Sequence, residues 1–113
     1  MVNRLEKLAG VYESTAAAYE VGYLMPGNRP TPGRLWAANV PDLGETAVFE
    51  LPNGTIAWHL TKSNVMFVEK VASGLQIMLE LVYMDDRGFT QMVTLIAPRG
   101  RLKKIFEFIG HPL

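Results

Sequence analysis

The sequence predicts an α+β fold that is mainly antiparallel β, with an N-terminal helix packed on a curved six- to eight-stranded antiparallel sheet or small barrel. A helical pattern opens the chain, strand-length apolar runs follow at regular spacing, and turn-forming residues separate those runs. The runs are TAVFELP, GTIAWHLT, NVMFVEKVA, LQIMLELVYM, FTQMVTLIA and RLKKIFEFI. Short β-branched and aromatic runs bounded by such turns are typical of strands joined by hairpins.

The turns between these runs also suggest which side chains share a face. They are Asn53-Gly54, Lys62-Ser63, Ser73-Gly74, the segment 85–88 and the segment 98–100. Short turns fix the register of a hairpin, and the provisional register places Glu80 beside Phe67 and Val93. Both faces of the central strands are then apolar, so neither can simply face water. We expect one face to meet the helix and the other to meet a second sheet, a closed barrel or another subunit.

The predicted helix covers residues 2 to about 18. Apolar side chains recur there every three or four residues, Asn3 and Glu6 form a capping pair, and three alanines follow. A competing pattern is present, because apolar residues alternate at positions 19, 21, 23 and 25. This alternation predicts a strand from about Ala18, which could begin as early as Val11.

Residues 26–34 predict a surface loop, since PGNRPTPG contains three prolines and two glycines. The loop is either an ordered connection or the rim of a pocket, where Arg34 is a candidate ligand-binding residue. The whole chain, 1–113, is expected to form a single domain in which the hairpin-rich sheet spans residues 45–109.

Composition limits the classes of function. The chain carries 11 basic and 11 acidic residues, and this zero net charge argues against nucleic acid and anionic membranes as partners. Hydrophobic residues make up 49% and charged residues 19%, which predicts a homo-oligomer, with a dimer as the first choice. There is no cysteine, no signal-like N-terminus and no apolar run of bilayer length, so a cytoplasmic protein is expected.

Glu80 and His59 are the candidate catalytic residues. A carboxylate among apolar neighbours has a raised pKa, which suits a general acid or base, although Glu80 could also pair with a base or point outward. His59 could carry a proton or anchor a ligand, or simply face solvent. Two histidines without ligand spacing predict no metal site, and no sequence motif implies a cofactor.

Aromatic and methionine side chains are abundant on the predicted sheet. They could line a pocket for a small hydrophobic ligand, or form plain core and subunit interface. The candidate ligand-binding residues of this group are Trp58, Phe67, Tyr83, Tyr23 and Met78. Four basic residues between Arg99 and Lys104 could hold an anion, but lysines on an edge strand also block unwanted pairing.

The layout of a helix, long curved strands and a charged last strand, GRLKKIFEFI, resembles α+β rolls of the polyketide-cyclase and ketosteroid-isomerase kind. This resemblance is architectural and covers about the last forty residues. The segment LAGVYES is similar to the opening of lipocalin-type barrels. Neither resemblance transfers a functional residue.

The sequence therefore leaves two hypotheses. The first is a protein that binds a small apolar ligand, with cofactor-free acid/base activity of the isomerase, cyclase or lyase type as an option. The second is a non-enzymatic homo-oligomeric assembly or protein-interaction module, and the sequence leaves open whether the protein is an enzyme.

Overall fold

A computed structural model describes residues 12–19 and 29–113 of the chain. The described residues form seven strands followed by one helix. The elements are β1 (Tyr12–Tyr19), β2 (Thr31–Val40), β3 (Gly44–Glu50), β4 (Ile56–Thr61), β5 (Val65–Ser73), β6 (Gln76–Met84), β7 (Thr90–Pro98) and α1 (Arg99–Phe108).

The seven strands form one sheet in the order β4-β3-β2-β1-β7-β6-β5, and every neighbouring pair is antiparallel. The edge strands β4 and β5 are nevertheless joined by only residues 62–64. A flat seven-stranded sheet would hold its edges almost 30 Å apart at about 4.8 Å per spacing. Because this linker spans at most about 15 Å, the sheet must curl until the two edges meet. No backbone ladder joins β4 to β5 within residues 56–73, so the described sheet is an open one and not a closed barrel.

The concave side of the curled sheet holds the main core. α1 begins directly after β7 and returns across this side, where Leu102, Ile105 and Phe106 are buried. Near its end, the ring of Phe108 packs edge-on against Tyr12, with 5.8 Å between ring centroids. Each fully buried side chain of this kind stabilises the fold by about 1.5–3 kcal/mol. The helix therefore fills the space that the curled strands enclose.

The predicted N-terminal helix is wrong for residues 12–18, and the fold class is mainly β. Tyr12–Tyr19 is a strand that pairs with β2 on one side and β7 on the other. Ser14, Ala16 and Ala18 are buried alternately, as the period of a strand requires. The helix preference of alanine is worth less than 1 kcal/mol per residue, so pairing with two strands overrides it. Residues 2–11 of the predicted helix lie outside the described residues.

The predicted last strand, RLKKIFEFI, is α1. Leu102, Ile105, Phe106 and Ile109 are buried at helical spacing. The helix ends at a glycine with positive φ, since Gly110 has φ +85° and its N–H donates to the carbonyl of Glu107. The basic residues of this segment therefore belong to a helix and do not protect an edge strand.

The other five predicted strands are confirmed as β3 to β7, but their register differs. Phe67 lies opposite Val82, and Glu80 lies opposite Glu69 and Thr94. β-bulges between Val65 and Phe67 and between Lys70 and Ala72 shift the pairing of β5. The expected row of Phe67, Glu80 and Val93 is therefore wrong. The predicted loop 26–34 also ends early, because β2 begins at Thr31.

Asn64 fastens the two edges of the sheet where they meet. Its side-chain N–H groups donate to the carbonyls of His59 at 3.0 Å and Met84 at 3.2 Å. Its Oδ1 accepts from the Thr61 N–H at 2.6 Å. The carbonyl of Asn64 also accepts from the Met84 N–H at 2.9 Å. One residue thus ties β4, β5 and β6 together.

We expect Asn64→Ala to lower the free energy of unfolding by about 2–3 kcal/mol, because three side-chain hydrogen bonds are lost at about 1 kcal/mol each. Urea denaturation monitored by circular dichroism measures the change. Asn53→Ala is the matched control, since Asn53 Oδ1 accepts one exposed hydrogen bond from the Thr55 N–H. Equal losses in the two variants would contradict the role given to Asn64.

Candidate functional site

A cleft separates β5 from the last residues of the chain. After α1, residues 110–113 lie along β5, and His111 Nε2 lies 2.9 Å from the carbonyl oxygen of Lys62. The cleft has a volume of about 500 Å³, which is in the range of small-ligand sites. Its apolar lining consists of Met66, Phe67, Val68, Pro112 and Leu113.

Lys70 and His111 supply the polar side chains of this cleft. Lys70 lies opposite Leu79, whose side chain is fully buried in the main core, so Lys70 leaves β5 on the concave side. No carboxylate lies within ion-pair distance of Lys70 among residues 12–19 and 29–113. Since a carbonyl oxygen only accepts, His111 Nε2 is the donor to Lys62, and Nδ1 remains for another partner.

A second cleft, of about 590 Å³, lies where α1 ends. It is lined by the β2–β3 turn, the β4–β5 turn and residues 107–110. Its side chains combine Leu43 and Phe108 with Glu45, Lys62 and Glu107. Because acidic and basic side chains both line this cleft, it would discriminate less between anionic and cationic ligands than the cleft beside β5.

The convex side of β5, β6 and β7 exposes an apolar surface, called here the β5–β7 face. Phe67, Val82 and Met92 form a cross-strand row at its centre, and Phe67 and Met92 are 48% and 40% exposed. Met84, 41% exposed, lies one row away on β6. Apolar residues this exposed and this close together are unusual on a protein that acts alone.

Glu80 lies on the same face, one row to the other side of Val82. It is half-buried and lies directly opposite Glu69, with Thr94 on β7 as its other neighbour. Two carboxylates opposite each other on neighbouring strands repel, which lowers the stability of the isolated chain. The described residues thus place Glu80 on a convex surface, and neither cleft described above includes it. Its catalytic role stays a prediction.

His59 lies on the convex side of β4, opposite Val48, and its Nε2 is 3.7 Å from a carboxylate oxygen of Asp86. Asp86 belongs to the β6–β7 turn, so this contact also crosses the seam between the two edges. His59 is near the end of β4 and Glu80 is in the middle of β6. No described contact brings the two candidate catalytic residues together, and the role of His59 also stays a prediction.

Trp58 and Tyr83 are core residues on the concave side. The indole of Trp58 stacks on Phe49 with ring centroids 5.0 Å apart, and Tyr83 packs against it at 5.9 Å. Trp58 is 7% exposed, and its Nε1–H has no hydrogen-bond partner within residues 12–19 and 29–113. Such an unpaired donor costs about 1–3 kcal/mol. Met78 is half-buried on the convex side opposite Ala72 and Ile96, and Tyr23 lies outside the described residues.

Arg34 is held by acidic residues on both sides. Its guanidinium donates to Glu13 at 2.8 Å and to Glu50 at 2.9 Å, so it links β1, β2 and β3. The same oxygen of Glu50 accepts from Trp36 Nε1 at 2.9 Å. The hydrogen bond from Arg34 holds the pKa of Glu50 below its usual value, and Trp36 adds to the effect. The guanidinium of Arg34 is therefore engaged by two carboxylates within the sheet. Its role in ligand binding stays a prediction.

The proximity of Lys70 and His111 was not predicted from the sequence, because RLKKIFEFI was interpreted as a strand. As a helix, this segment brings the chain back to β5. The apolar period of Leu102, Ile105, Phe106 and Ile109 was the signal that could have shown this. Val82, Met84 and Met92 were placed on the sheet, but a register error hid the fact that Val82 and Met92 share a row with Phe67.

Comparisons with protein-family models, curated proteins and solved structures found no match to this chain. Within the described ranges, no group of three or more His, Asp or Glu side chains is placed to hold a metal ion. The described part of the chain also contains no helix long and apolar enough to span a membrane.

The Arg34–Glu50 contact predicts an acid-dependent stability. Because the pKa of Glu50 is lowered from 4.5 in the folded chain, the carboxylate stabilises the fold above that pH, and the effect is lost as pH falls through the lowered pKa. We expect Glu50→Gln to cost about 1 kcal/mol at pH 7 and much less once the wild-type carboxylate is protonated. Urea denaturation across this pH range measures both changes.

Glu107→Gln is the matched control, since Glu107 is exposed on α1. It should retain the wild-type loss of stability in acid. If Glu50→Gln retained that loss in full, the folded-state pKa of Glu50 would not be the source of it.

Proposed function

We propose that this chain is a non-enzymatic assembly module that forms a homodimer through the β5–β7 face. The exposed row of Phe67, Val82 and Met92 carries the proposal. Sheets pack face to face about 10 Å apart, and a second copy would remove this row from water. A second copy is favoured because the face carries an acidic pair and the adjoining β6–β7 turn carries a cation, which are the two charges that a symmetric contact needs.

The Glu69–Glu80 pair restricts how two such faces can meet. If the two-fold axis ran parallel to the strands, the acidic row of one copy would face the acidic row of the other. If the axis crosses the strands at Val82, the acidic row instead faces the row of Met84 and the adjoining β6–β7 turn. Like charges repel and a C2 contact is self-complementary, so the second arrangement is the one we propose.

The β6–β7 turn brings a suitable cation to this position. Arg87 lies exposed in the turn, and no ion pair of Arg87 is found among the described residues. The acidic neighbours of Arg87 are engaged within their own copy. Asp85 accepts hydrogen bonds from Phe89 N–H and Gln91 Nε2, and Asp86 lies beside His59. Glu80 of each copy would then lie near Arg87 of the other.

This proposal gives Glu80 an electrostatic role in place of catalysis. A carboxylate on an apolar strand contributes to specificity when it meets a cation on the partner, because wrong orientations leave it unpaired. The cleft beside β5 favours a second function, the binding of a small ligand. Lys70 and Val68 face the cleft from the opposite side of β5 to the dimer contact, and Phe67 borders both sites.

We expect the wild-type chain to sediment as a dimer, and Val82→Lys to weaken the dimer about 100-fold. The substitution removes the apolar side chain at the axis and brings two ammonium groups close together there. Leu75→Lys is the control, because Leu75 is apolar and 95% exposed but lies at the β5–β6 turn, away from the row. Sedimentation velocity over a concentration series measures both. A wild type that stays monomeric at every concentration would overturn the proposal.

A charge exchange tests the orientation. Glu80→Lys and Arg87→Glu should each dissociate the dimer, since each places like charges across the contact. The double variant, with both substitutions, should recover it because the attraction is restored in reverse. Recovery in the double variant could not come from a contact in which residues 80 and 87 lie far apart. Failure to recover, with both single variants folded, would show that the faces meet differently.

A further inference from the structure

We infer that the cleft between β5 and residues 110–113 binds a small apolar molecule with a single carboxylate, such as a medium-chain fatty acid. This inference does not depend on the proposed dimer. It follows from the combination of an apolar wall, two cation-forming side chains and a volume of about 500 Å³. Small-ligand sites are mostly apolar with a few placed polar groups, and this cleft has that composition.

The apolar wall is open to solvent where a core residue would normally be covered. Val68 belongs in part to the main core, opposite Leu81, but remains half-exposed in the cleft. Leu113 also packs on the core from the other side, and Met66 projects from a β-bulge with 57% of its surface exposed. A methylene chain placed between them would cover apolar surface at about 25 cal/mol per Å².

The polar groups select an anion. Lys70 leaves β5 on the cleft side with no carboxylate near it among the described residues. His111 already donates from Nε2 to Lys62, which fixes the ring, so that Nδ1 is an acceptor in the neutral ring and a donor only in the protonated one. A carboxylate could accept from the Lys70 ammonium, and from His111 Nδ1 when the ring is protonated. Among the residues that the structure describes, no acidic side chain lines this cleft, so they offer a ligand cation no counter-charge there.

A ligand with one carboxylate is favoured over a more highly charged anion. Lys70 and His111 are the polar side chains described in this cleft, and the other side chains that line it are apolar. A phosphate or a dicarboxylate would place a further charge against Met66, Val68 or Leu113, with no donor to meet it. The apolar walls favour a linear or flat hydrocarbon body. The ligand class is therefore an amphipathic monocarboxylate.

Decanoate and decanol are the probes, used below the concentration at which decanoate forms micelles. The two share an apolar chain and differ in charge. We expect decanoate to bind the full chain in a calorimetric titration, and to shift the amide NMR signals of residues 66–70 and 110–113. Lys70→Met should weaken decanoate about tenfold while it changes decanol less than twofold. Lys104→Met is the matched control, because Lys104 is an exposed lysine on α1 that does not line the cleft.

Each alternative result would overturn the inference. Equal loss of decanoate affinity in Lys70→Met and Lys104→Met would mean that general charge, and not the cleft, attracts the ligand. Equal binding of decanol and decanoate to the wild type would remove the selection for a carboxylate. NMR shifts confined to the β5–β7 face would show that decanoate covers the exposed apolar row instead. The absence of any decanoate binding would leave no small-ligand role for the cleft.

Discussion

The fold depends on one short connection, in which residues 62–64 join the two edges of a seven-stranded sheet. Asn64 satisfies backbone groups of β4 and β6 at this point, and the sheet must curl for it to do so. The curl creates a concave side that α1 fills with Leu102, Ile105 and Phe106. It also turns β5 to β7 outward as a convex surface and brings residues 110–113 beside β5. Both proposed binding surfaces are therefore consequences of the same constraint.

The two proposed binding surfaces carry charges of opposite sign. On the β5–β7 face, Glu69 and Glu80 repel within one copy, so the face lacks the cation that would satisfy them. In the cleft, Lys70 lacks a described anion. In the proposed dimer, Arg87 of a second copy would supply the first charge, and the proposed carboxylate ligand would supply the second. Within residues 12–19 and 29–113, neither charge has such a partner, which is the physical reason for proposing partners on a chain with zero net charge.

Much of the sheet could be predicted from the sequence, because the turns at Asn53-Gly54 and Ser73-Gly74 bound apolar runs of strand length. Three features differ from the prediction, each for a different physical reason. Ala16 and Ala18 have a high helix preference, and only pairing with two distant strands makes them part of β1. The segment 99–108 has apolar residues that fit a strand or a helix, and the concave space decides for the helix. The β-bulges of β5 change which residues lie opposite Glu80, and no residue in the local sequence indicates where these bulges occur.

In the proposed dimer, two copies pack through the β5–β7 face with the axis across the strands at Val82. The chain has no cysteine, so Ser73→Cys carries a single nitroxide label at the end of β5. Double electron–electron resonance then measures the label separation within the dimer. Ser73 lies opposite Ile77, five residues from the level of Val82, so the proposed dimer has a label separation of about 35 Å. A separation of about 15 Å would place the axis along the strands, and the absence of dipolar coupling at high protein concentration would contradict the dimer itself.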